Sequence, residues 1–151
     1  MERLRQSDTD NVARIGLMFL DGDLLGNVLK DKFSLDYDDV DYNYEQFTSL
    51  KIVLLKIEKI NPDLSLIAVL WERRPDNDRL VVPIIVGSQM PGEGGGICEA
   101  GAEMLQSFDT GERTVKKRDG FASYYYPVRD SDSDIAGVLE LIVGRPYRVD
   151  I

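Results

Sequence analysis

The apolar period of this chain changes once, at Asn61-Pro62. Before that point hydrophobic residues recur at helical spacing, and after it they alternate or run together as in strands. A chain that spends most of its helices first and its strands afterwards is not built from repeated strand-helix-strand units. The order predicts an α+β fold, an antiparallel sheet of about five strands with a long N-terminal helix and a second helix packed on one face. Proline disfavours the helical conformation in the residue before it, so Asn61 closes the helical part.

Within the first part, Val12, Ile15 and Phe19 recur at helical spacing over residues 9–20, flanked by Leu17, Met18 and Leu20. Asp21-Gly22-Asp23 interrupts that helix, with Gly22 read as a flexible turn and an aspartate of this triplet as the N-cap of a short helix carrying Leu24, Leu25, Val28 and Leu29. Over residues 44–60 Phe47, Leu50, Leu54 and Ile57 form one stripe, widened by Val53 and Ile60. The second part predicts strands over 64–71, 80–86, 112–118, 121–129 and 135–143 and a short helix over 97–108. Pro83 cannot donate to a ladder and marks an edge or a bulge. Asp119-Gly120 and Ser131 to Asp134 read as hairpin turns.

A length of 151 residues suits a single domain, with helices over about 7–61 and the sheet over about 64–144. Eighteen Lys and Arg against 27 Asp and Glu give a net charge of −9, the wrong sign for a nucleic-acid binder. Histidine is absent, which removes Ser-His-Asp and Cys-His nucleophile systems and histidine-ligated metals. A single cysteine, Cys98, cannot form an intrachain disulfide or a Cys-rich metal site. No apolar run reaches the ~20 residues of a membrane span, and the start lacks the layout of a signal peptide.

Candidate chemistry is sparse. Asp36, Asp38, Asp39 and Asp41 read as a solvated loop leading into a helix, with a cation-binding patch as the alternative. The Gly-rich stretch 91–96 lacks the spacing of a phosphate cradle and reads as a lid or connector. Asp130, Asp132 and Asp134 begin like a calcium loop, but Ile135 and Leu141 stand where its Gly and bidentate Glu belong, so a hairpin turn is the better reading. Glu72 and Glu140 are the acids in apolar strand settings, and Glu140 reads as a sheet-face residue paired with Lys or Arg. No nucleophile-base arrangement is visible, and the expectation is a binding protein without cofactor or metal rather than an enzyme. Tyr124 and Tyr126 share one strand face and Tyr125 takes the other. Together with Ser123, Trp71 and Arg73 these tyrosines are the candidate ligand-binding residues, with Arg118 and Arg129 as nearby cations.

Asp21 to Leu25, the helix running to Ile60-Asn61-Pro62-Asp63-Leu64, Ala102 to Leu105 before Gly111-Glu112, and Ser123-Tyr124-Tyr125-Tyr126-Pro127-Val128-Arg129-Asp130 followed by Gly137-Val138-Leu139 together resemble the Cache (PAS-like, PDC) sensor domains. The resemblance spans nearly the whole chain. It implies an extracytoplasmic, periplasmic ligand-binding part of a membrane-anchored bacterial histidine kinase, chemoreceptor or diguanylate cyclase, with the pocket on the sheet face opposite the long helices. The motif tyrosine falls on Tyr125, with Ser123 before it, while Trp71 and Arg73 lie where pocket residues are common. The implied ligand is a small polar metabolite, an organic acid or amino acid, and the implied assembly a homodimer through the N-terminal helix. The alternative is a cytoplasmic PAS-like or GAF-like module dimerising through Val12, Ile15 and Phe19.

Overall fold

The computed structural model describes residues 2–25, 44–75, 77–87 and 97–144. The acidic residues Asp36 to Asp41, the Gly-rich stretch 91–96, and Val28 and Leu29 lie outside the described residues. Within them the fold is α+β: helices α1 (Glu2–Phe19), α2 (Gly22–Leu25) and α3 (Tyr44–Ile57) precede strands β1 (Leu66–Arg74), β2 (Asn77–Val86) and β3 (Cys98–Glu99). Helix α4 (Ala102–Thr110) and strands β4 (Thr114–Arg118), β5 (Phe121–Arg129) and β6 (Ile135–Gly144) complete it. All pairings are antiparallel in one six-stranded sheet ordered β3-β2-β1-β6-β5-β4, so β1 and β6 hold the centre.

The main core lies between one sheet face and helices α1 to α3. Leu50, Leu54 and Ile57 of α3 bury there against Leu70 of β1, Tyr124 and Tyr126 of β5, and Leu139 and Leu141 of β6. This is the stripe expected from periodicity. On α1 the buried residues are instead Thr9, Val12, Ala13 and Gly16, while Ile15 is 38% exposed and Phe19 68%. The reason is close packing: a Cβ on Gly16 would stand 2.7 Å from Cγ1 of Ile57, so α1 approaches α3 on its smallest residues. Val12 is therefore core, and only Ile15 and Phe19 of the expected dimer face are accessible.

Two further expectations are corrected. The helix expected over 97–108 begins only at Ala102, because Cys98 and Glu99 pair with Val81 and Leu80 as a two-residue edge strand. That helix, α4, packs on the opposite sheet face, where Met104 and Phe108 bury against Val81, Tyr125 and Val138, so helices cover both faces. The sheet is curled. β3 leads directly into α4, while at the other edge Thr114 Oγ1 of β4 donates to the Glu103 carbonyl at 2.6 Å and Lys116 Nζ comes within 3.8 Å of a Cβ built on Gly101. Pro83 lies past the end of the β3 ladder and beside a bulge, since Leu70 pairs Ile85 and Trp71 pairs Pro83 with Ile84 left over.

At the turn between α1 and α2 the aspartate that caps the short helix is Asp21, whose Oδ1 accepts from the Asp23 N–H at 2.9 Å. Asp23 Oδ1 instead accepts from Ser131 N and Oγ at 3.0 and 3.1 Å, fastening α2 to the β5–β6 turn. That turn is the hairpin expected from Ser131 to Asp134, closed by Asp130 Oδ1 accepting from the N–H groups of Asp132 and Asp134.

Candidate functional site

Strand alternation divides the nominated residues. Tyr124 and Tyr126 point into the helix-side core, and the Tyr126 hydroxyl donates to Asp10 Oδ1 of α1 at 2.7 Å. Arg113 donates to the other oxygen of Asp10 at 2.9 Å, so α1, β5 and the entry to β4 meet at one carboxylate. Trp71, Arg73, Ser123 and Tyr125 take the opposite face, the concave side carrying α4. Arg73 stays at one end of it, bound to Asp109 of α4 at 2.7 Å with its guanidinium 4.8 Å from the Phe108 ring centroid. It lines a cleft of about 730 Å³ at the ends of β1, β5 and β6, which also holds Glu72, Arg129 and Asp130. Trp71, Ser123 and Tyr125 converge elsewhere, and a residue not nominated with them sits at their centre.

That residue is Glu140. Its register partners are Val69 on β1 and Tyr125 on β5, with Trp71 and Ser123 on the diagonals. It is 5% exposed, and its Oε1 accepts the Trp71 indole N–H at 2.8 Å. The expectation of a Lys or Arg partner is replaced by an indole one, because the cations of this face lie away from it: Lys116 and Arg118 sit on the edge strand β4, and Arg73 is bound to Asp109. Arg118 lies over the Phe121 ring at 5.5 Å and reaches toward Tyr125. Burial first, then the Glu140 carboxylate, pushes the Tyr125 phenol up to about 12, while Ser123 and Arg118 work against that rise. The approach of Ser123 falls short of hydrogen-bond geometry: its oxygen is buried and has no partner among the described residues. Partial burial and then the same carboxylate also raise the exposed Cys98 thiol, which places β3 within electrostatic reach of Glu140.

Two apolar patches flank this polar centre. On one side is the α4 cluster around Met104 and Phe108; on the other Val69 and Ile142 are joined by Ile67, Trp71 and Phe121. Buried polar groups without partners cost free energy, so an arrangement of a carboxylate, a phenol and an unpaired hydroxyl between apolar walls suits a ligand that supplies hydrogen-bond donors. The signal in the sequence was Glu140 standing as the single acid in Val138 to Ile142. No family model matches the chain, and no curated protein matches it. No helix among the described residues is long and apolar enough to cross a membrane.

The raised Tyr125 phenol makes a pH prediction. A neutral phenol is favoured by the fold, so its contribution is complete below pH 10 and is lost as pH rises toward 12. Absorbance titration at 295 nm should show Tyr125 ionising well after ordinary phenols. In Tyr125→Phe that late component should disappear, and stability should fall less steeply between those pH values.

Proposed function

We propose that this domain is a small-molecule sensor, of the Cache-like kind found in extracytoplasmic parts of bacterial signal-transduction receptors, and that its pocket is the concave sheet face around Glu140. The observation that carries this reading is the buried, unpartnered Ser123 hydroxyl beside Tyr125 and Glu140, on the face opposite the long helices. Glu140 repels a purely anionic metabolite and attracts an ammonium or other N–H donor, while Lys116 and Arg118 at the rim suit a carboxylate. Of organic acids and amino acids, the site therefore favours the amine-bearing class.

Occupancy has a short way out. β5 presents Ser123 and Tyr125 to the ligand and, one residue on, Tyr126 to Asp10 of α1. A ligand that prefers one position of β5 thereby prefers one position of α1. Isothermal titration of amino acids, primary amines and dicarboxylates tests the reading. Amine-bearing metabolites should bind, and Glu140→Gln, Trp71→Ala and Tyr125→Ala should each weaken the best of them about tenfold or more, ~1.4 kcal/mol. A hit whose affinity survives all of these substitutions refutes the site.

A further inference from the structure

Helix α1 ends on an apolar tip that the other described residues leave exposed. Met18 is 78% exposed and Phe19 68%, side by side in the last turn. They form one wall of a groove of about 400 Å³ whose other lining includes Asp21, Asp23, Asp130 and Ser131. The carboxylates of Asp132 and Asp134 lie within 4.8 Å of that of Asp130 and extend the acidic rim. Among the described residues Arg129 is the one cation lining the groove, and its Nη1 donates to the Ser133 carbonyl at 2.7 Å. The last turn of α1 carries no basic residue, so the negative end of the helix dipole adds to the same field.

An exposed aromatic and a methionine facing a row of carboxylates across a groove is half of a complementary pair. We infer that this tip docks a basic, apolar segment of a partner protein, with an aliphatic or aromatic anchor against Met18 and Phe19 and lysine or arginine along Asp21, Asp23, Asp130, Asp132 and Asp134. Charge selects the occupant. Two copies of this chain meeting through the tip would set one group of carboxylates against the other, and an anionic lipid surface would be repelled in the same way. A basic segment gains both the apolar burial and the charge pairs.

The test uses fluorescence anisotropy with two labelled amphipathic peptides, one of leucine and lysine and one of leucine and glutamate. The lysine peptide should bind the whole chain and weaken with added salt. Met18→Ser with Phe19→Ser should weaken it about tenfold or more, ~1.4 kcal/mol. Asp130→Asn, Asp132→Asn and Asp134→Asn together should do the same and flatten the salt dependence; asparagine keeps the oxygen that closes the turn, and unchanged melting temperatures show that the fold is intact. The control removes equal charge from exposed positions elsewhere, Asp63→Asn, Glu99→Gln and Asp119→Asn, and should leave binding unaltered. Failure of the lysine peptide to bind, equal binding of the glutamate peptide, or an equal loss in the control overturns the proposal. So does a wild-type dimer in sedimentation that the Met18 and Phe19 substitutions dissociate, which would make a second copy the occupant.

Discussion

Replacing Gly22 with alanine should destabilise the protein by about 3 kcal/mol or more, a fall in melting temperature of ~6–12 °C for a domain of this size. The sequence presents Gly22 as a flexible element in Asp21-Gly22-Asp23, but its place in the fold depends on the absence of a side chain. A Cβ there would collide with the Arg129 carbonyl oxygen and lie 2.6 Å from its carbon and 2.9 Å from Asp130 Cα. Every one of those atoms is main chain, so no rotamer change relieves the clash. Either α2 lifts from the β5–β6 turn, losing both bonds from Ser131 to Asp23, or the end of β5 moves. Gly120, at φ 81° in the β4–β5 turn with nothing within 4 Å of a Cβ, is the comparison. Asparagine tolerates that backbone conformation, so Gly120→Asn should change stability by less than ~1 kcal/mol. Urea denaturation of both variants checks the contrast, and a loss in Gly22→Ala as small as that in Gly120→Asn would show that the β5–β6 turn yields to the added methyl without cost.

What was legible in the sequence depended on how local the cause was. The α3 stripe and the split of Tyr124 and Tyr126 from Tyr125 follow from side-chain periods that hold within one element, and both appear in the structure. The buried face of α1 departs from its hydrophobic period because Gly16 is set by closeness to Ile57, a property of two helices together that the hydrophobicity of one helix does not report. β3 is too short to show any period, and it took the residues expected to begin a helix. The spacing of Met104 and Phe108 identifies a buried face on α4 without saying which side of the sheet receives it. The same limit applies to the candidate site. Alternation placed Trp71, Ser123 and Tyr125, but the centring of Glu140 on them depends on the β1–β6 and β5–β6 registers, which are tertiary facts.

Those registers lead to the second large effect. Trp71→Phe removes the N–H that Glu140 Oε1 accepts at 2.8 Å and leaves a buried carboxylate oxygen without its donor, a loss of about 3 kcal/mol. Glu140→Leu strands the indole N–H instead and should cost roughly 1–2 kcal/mol. The double variant puts phenylalanine and leucine beside Val69 and Ile142, where both pack as apolar side chains, and it should return to within about 1 kcal/mol of the wild type. Urea denaturation of the four proteins yields the coupling, expected at about 2 kcal/mol or more; costs that simply add would mean the pair contributes nothing as a pair. A near-wild-type double variant would show that the fold does not need a carboxylate at this position. The same protein then separates folding from binding: if Glu140 serves a ligand, the double variant keeps its melting temperature and loses every amine-bearing metabolite that the wild type binds.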